Sequence, residues 1–158
     1  MIHLKLLGGL LILGAGGLSA LTLVRFERKR LTVLDGWLDL LLYVRGQIDC
    51  YLMPLDDILA SADQVLLQAC GAETRITSLP ALFKLSSIYL DIESRRLLSS
   101  FVREIGSTYR EEQLKRCDYY LEALRARREK IAAELPARMK MGVTVSLCTA
   151  IGIAILLW

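Results

Sequence analysis

The chain has 158 residues, room for one domain plus membrane segments but not for two domains. Apolar residues make up 54% of it, and the excess sits in two runs, 6–24 and 141–158, with all 17 acidic residues between them. A net charge of +3, with acids and bases alternating through the middle, is too small and too mixed to argue for nucleic acid as a partner.

Leu6 to Val24 is 19 residues without charge, long enough to cross a bilayer as an N-terminal transmembrane anchor, residues 1–24. A cleaved signal peptide is the rival reading, because Leu18-Ser19-Ala20 offers small residues. Against cleavage stand a start that carries only Lys5, a run longer than the usual 7–15 apolar residues, and a basic flank that follows at once. That flank is Arg25, Arg28, Lys29 and Arg30. Arg138 and Lys140 precede the second run, so the positive-inside bias places residues 25–140 in the cytoplasm and both termini outside. The 25–30 cluster also suits anionic lipid head groups, although a plain topology signal explains it as well.

From Leu31 the apolar positions Leu34, Leu38, Leu41 and Ile48 form one stripe of a helix, interrupted by Arg45. Pro54 ends it and opens a second helix, with Asp56 and Asp57 near its positive end and Leu55, Ile58, Leu59, Ala62, Val65, Leu66 and Ala69 as a buried face up to Cys70-Gly71. After the polar loop 71–78, Ser78-Leu79-Pro80 predicts a third helix to about Leu90, with Leu82, Phe83, Leu85 and Ile88 inward. A fourth uses Leu97, Leu98, Phe101, Val102 and Ile105 and stops at Gly106.

Ser107-Thr108 caps a long final helix, with Glu111 and Glu112 in its first turn. Leu114, Cys117, Leu121, Leu124, Ile131 and Leu135 give that helix a seam broken only by Arg128. Arg45 and Arg128 read as solvent-seeking arginines at the bundle's ends. Helices leaving and re-entering one bilayer are natural antiparallel neighbours. The final run, Met141 to Trp158, holds 18 uncharged residues and reaches about 27 Å as a helix, so the chain is expected to stop in or at the far face of the membrane. Small residues recur there at Gly142, Ser146, Ala150 and Ala154, matched in the first run by Ala15/Ser19 and Gly16/Ala20, a spacing that close helix contacts in lipid use. The expected architecture is all-α: an antiparallel helical bundle (25–140) flanked by N-terminal (1–24) and C-terminal (141–158) transmembrane helices.

No residue pattern asks for catalysis, a cofactor or a metal. The single histidine, His3, precedes the first run, and there is no P-loop, GxGxxG or GxSxG. Cys50, Cys70, Cys117 and Cys148 lack metal spacing and read as buried reduced thiols. The chain is therefore expected to be non-enzymatic, an adaptor that holds a cytosolic partner at the membrane.

Two stretches carry a family likeness. One is Leu41, Val44 and Ile48 followed by Pro54-Leu55 and Leu59; the other is Phe101, Ile105-Gly106, Gln113, Leu121 and Leu124 before a basic approach to an apolar tail. With the layout, they resemble the stage III sporulation protein AB family, itself similar to the cytoplasmic domain of type II secretion and type IV pilus inner-membrane platform proteins. The resemblance implies a membrane platform subunit of the assembly linking mother cell and forespore, on the mother-cell side. Its implied partners are membrane lipids, a cytosolic AAA-type ATPase and other membrane subunits of the complex. A platform component of a pilus or secretion system is the alternative, and a helical protein secreted after cleavage near residue 21 is a third.

Overall fold

A computed structural model of the protein describes residues 2–51, 55–74, 76, 78–106 and 109–156, with side chains from Gly14 on except those at 51, 56, 154 and 156. Six helices appear in order: α1 (Ile2–Tyr51), α2 (Leu55–Ser61), α3 (Gln64–Ala69), α4 (Leu79–Ser86), α5 (Ile92–Glu104) and α6 (Arg110–Leu156). No strand occurs among the described residues, as the lack of period-2 alternation predicts. The expected caps at Ser107-Thr108 and the helix breaker Pro54 lie outside the described residues.

Two compact units divide the chain: residues 29–131, and residues 1–28 with 132–158. In the first, the stripes read from the sequence are the core. Leu34, Leu38, Leu41 and Ile48 of α1, and Cys117, Leu121, Leu124 and Ile131 of α6, are all buried. Burial on α1 is wider than one stripe, because Val33, Trp37, Leu40 and Val44 are buried too. The second stripe faces the short helices: the Trp37 indole N–H donates to Ser86 Oγ of α4 at 3.0 Å, and Gly36 lies directly against the backbone of Ala69 and Cys70 at the end of α3. A helix with partners on two sides needs a broad apolar arc. Opposite, Phe101 and Tyr120 meet edge to face at 5.6 Å, and the Tyr120 hydroxyl donates to Glu104 Oε2 at 2.9 Å.

Three expectations need correction. The helix read over Leu55–Ala69 is two helices, because Asp63 leaves the αR region and its side chain accepts from Val65 N at 3.1 Å, capping α3. Val65 consequently points outward. The third helix ends at Ser86 rather than near Leu90, and Leu85 and Ile88 are exposed; an eight-residue helix presents only a narrow buried face, filled by Leu79, Leu82 and Ser86. Cys70 and Cys117 are buried, but Cys50 and Cys148 are exposed. Gly106, by contrast, takes the left-handed φ of +85° that its place after α5 calls for.

In the second unit α1 and α6 approach through small residues. A Cβ added to Gly16 would fall 2.6 Å from the Cβ of Ala150, and Ala20 and Ala150 are both buried. The outward side chains Leu18, Leu21, Val145 and Ile151 are exposed. Among the described residues no helix is long and apolar enough to cross a membrane. The expected spans 6–24 and 141–158 are therefore not seen as such. The backbone of 6–24 lies within α1 and that of 141–156 within α6, while nothing is described of the side chains of 6–13 or of residues 157–158.

Candidate functional site

Among the described residues, three ion pairs tie α1 to α6 in the 29–131 unit. Arg128 Nε and Nη2 donate to Asp35 at 2.8 and 3.3 Å, Arg45 donates through two nitrogens to Asp118, and Arg110 Nη2 donates to the carboxylate and, at 2.7 Å, the backbone oxygen of Asp49. Positions ten apart on α1 (35 and 45) meet positions ten apart on α6 (128 and 118), the signature of a constant antiparallel register. Arg45 and Arg128, with side chains 36% and 39% exposed, reach solvent as expected and are cross-helix partners as well; sequence alone does not say which acid the register brings opposite. The hydrogen bond from Arg45 holds the Asp118 carboxyl below the usual carboxylate range, and both arginines are held charged by their partners. Beside the Arg45–Asp118 pair runs an open groove of about 490 Å³, lined by Leu42, Leu121, Glu122 and Arg125.

Asp91 ties the start of α5 to α6. It caps α5, accepting from Glu93 N at 3.3 Å, and accepts from Arg127 Nε of α6 at 3.0 Å; Arg127 also reaches Glu93 at 2.6 Å. The Arg127 and Asp91 side chains are only 15% and 13% exposed. Burial alone would raise the Asp91 carboxyl, but the Ser94 hydroxyl beside it and Arg127 outweigh it and hold it below the usual range. A carboxyl depressed in the folded state adds stability above its ordinary value of about 3.9 and loses it as pH falls through the folded value. Asp91→Ala is expected to remove about 1 kcal/mol for the cap and about as much for the half-screened pair. The variant should also show a flatter stability curve than the parent below about pH 4, read by chemical denaturation at stepped pH.

The two buried thiols carry no such chemistry. Burial pushes the Cys70 thiol up to about 12, helped by Asp39, and the Cys117 thiol up to about 11, with Asp118 adding to it, so neither forms a thiolate at neutral pH. Among the described residues no group of three or more His, Cys, Asp or Glu side chains could hold a metal ion.

The remaining sequence marks fall as follows. Arg25, Arg28, Arg138 and Lys140 are exposed; Arg138 donates to Glu134 at 2.7 Å. Lys29 lies 6.0 Å from the centre of the Tyr89 ring and Arg30 Nε donates to the Tyr89 carbonyl at 3.2 Å. Leu55 and Gly106 are brought together, since a Cβ on Gly106 would sit 3.9 Å from Leu55 Cδ2. Leu59 is buried and Gln113 half-buried in the first turn of α6. Gly142 is 3.7 Å from Leu23 by the same measure, and Gly16 meets Ala150 with the Ser146 carbonyl 3.5 Å away. Pro54 and the side chain of Ala154 lie outside the described residues. Gly36, Trp37 and the Asp91–Arg127 pair were not singled out by sequence; the Asp-x-Glu start of α5 was the available signal for the last.

Against known families, one finding stands out. Residues 81–158 match the model of the stage III sporulation protein AB family. That stretch holds most of α4, all of α5 and α6, and with them Asp91, Arg127, Gly106 and the α6 side of every cross-helix pair. The match, over just under half of the chain, supports the sporulation resemblance. The upstream marks Leu41 to Leu59 precede the matched stretch. No curated protein and no solved structure matches the chain.

Proposed function

We propose that this protein is a non-enzymatic, membrane-anchored platform subunit of the sporulation machinery, whose helical bundle holds a cytosolic AAA-type ATPase on the mother-cell side. The family match over residues 81–158 carries the reading. Two further features support it. The uncharged run 6–24 is followed by basic residues at Arg25–Arg30 and the run 141–158 is preceded by Arg138 and Lys140, the pattern of anchors with a cytoplasmic middle. The small-residue approach of α1 and α6 at Gly16 and Ala150, with large apolar side chains turned outward, suits two helices packed in lipid. In this reading the groove beside Arg45–Asp118 is the face offered to the ATPase.

Co-expression tests it. Detergent-solubilised protein should retain the sporulation ATPase through gel filtration, and Arg125→Glu, at the groove wall, should weaken retention while leaving the circular dichroism spectrum intact. An ATPase that elutes apart in every nucleotide state would end the proposal. Cysteine labelling from outside intact cells should reach neither position in Asp63→Cys and Glu73→Cys variants.

A further inference from the structure

The 29–131 unit has two distinguishable ends. At one, Arg110 pairs with Asp49 and Tyr109 stands 91% exposed. At the other, roughly 28 Å away along α1, the chain enters at Lys29 and leaves near Ile131. The α4–α5 connection is fastened to this second end: Tyr89 sits under Lys29 and Arg30, and Asp91 under Arg127. Here the fold leaves large apolar side chains in the open. Ile88 and Ile92 are each 70% exposed, and Leu85 one helical turn before is exposed as well. Single exposed isoleucines are ordinary, but two at one corner, beside exposed Lys84 and Arg96, are an amphipathic feature. Its acids are already engaged, because Asp91 and Glu93 both bind Arg127. Glu73 shares a hollow with Lys29 and Tyr89.

We infer that the α4–α5 corner is a second, peripheral membrane contact: Ile88 and Ile92 insert into the head-group layer of an anionic bilayer, with Lys84, Arg96 and Lys29 over its phosphates. Charge complementarity selects lipid of that sign. Both tethers of the unit emerge at the end where the corner lies, so the proposed anchors hold it close to a surface at no further cost in chain entropy. Insertion of this depth, some 5–10 Å, is what amphipathic surface elements reach. The inference rests on the membrane reading above. It would make the bundle lean on the bilayer and fix the direction in which its other faces point.

The test uses the full chain in vesicles of phosphatidylcholine with or without phosphatidylglycerol. A nitroxide is placed at Ile88→Cys, or at Tyr109→Cys as the far-end control, in a Cys50→Ser/Cys148→Ser background that leaves only buried thiols. In anionic vesicles the label at 88 should be accessible to oxygen and shielded from a water-soluble nickel chelate, while the label at 109 is open to the chelate. Each cation near such a surface contributes about 1 kcal/mol, so Lys84→Gln should lower the docked-to-undocked ratio about fivefold. Chelate access at 88 equal to that at 109, in protein that floats with the vesicles, overturns the corner contact alone. Equal shielding with and without phosphatidylglycerol overturns the assignment to anionic lipid, and dipolar broadening at 88 would show a second copy covering it instead. Protein that does not float with the vesicles overturns the anchor reading and this inference with it.

Discussion

Gly36→Ala should cost the 29–131 unit about 3 kcal/mol, the upper end of what overpacking a tight contact does, although alanine is the better helix former. A Cβ at this position would fall 2.5 Å from the Ala69 carbonyl carbon, 2.7 Å from its oxygen and 2.8 Å from Cys70 N. All three are backbone atoms, so no side chain can swing away; α3 and its C-cap at Cys70 would have to move as a body. That cap is short of slack, because Gly71 follows at φ +95° and its N–H donates to Gln68 O at 2.9 Å. Gly46, on the same helix, is the internal control: nothing lies within 4 Å of a Cβ there. Gly46→Ala should stabilise by up to about 1 kcal/mol through helix propensity alone. Thermal melts followed by circular dichroism should show the two variants shifting in opposite directions, Gly36→Ala downward by roughly 15 °C for a unit of this size. A Gly36→Ala melt at or above the parent's would mean that α3 does not lie against α1.

What the residues disclosed in advance follows a physical line. The stripes of α1 and α6 were legible because a helix that buries one face repeats its apolar residues every three or four positions, whatever it packs against. Leu34, Leu38 and Leu41, with Cys117, Leu121 and Leu124, needed no partner to be recognised. Gly106 was legible because the left-handed turn it occupies admits few other residues. The Asp35–Arg128 and Arg45–Asp118 pairs were not, since they exist only in one antiparallel register, and a slide of one turn would match each arginine with a different neighbour. Ile88 and Leu85 were misplaced for a related reason: apolar character says that burial would be favourable, not that a helix of eight residues has room to provide it. The basic flank was noted for its sign, but its engagement with Tyr89 depends on where the α4–α5 corner is carried. Those long-range placements decide the surfaces a partner or a lipid would meet.

Trp37 makes the second large prediction. It is wholly buried, its N–H donates to Ser86 Oγ, and that hydroxyl donates in turn to the Phe83 carbonyl at 3.1 Å. Trp37→Ala should therefore cost about 3–5 kcal/mol, the range for emptying a large aromatic site, enough to leave a marginal unit unfolded. Smaller changes separate volume from hydrogen bonding. Trp37→Phe keeps most of the ring and loses the donor, whereas Ser86→Ala keeps the ring and strands a buried N–H, which costs about 1–3 kcal/mol. Replacing both partners with apolar groups removes the unmet donor, so the double variant should be less damaged than the sum of the singles by about 1 kcal/mol. Urea denaturation of the four proteins closes this cycle. Additive singles would mean that the indole and the α4 hydroxyl do not touch. The short helix would then be held in the core by Leu79, Leu82 and Phe83 without that hydrogen bond, and the corner beyond it, with Ile88 and Ile92, would lose part of the support that fixes where it points.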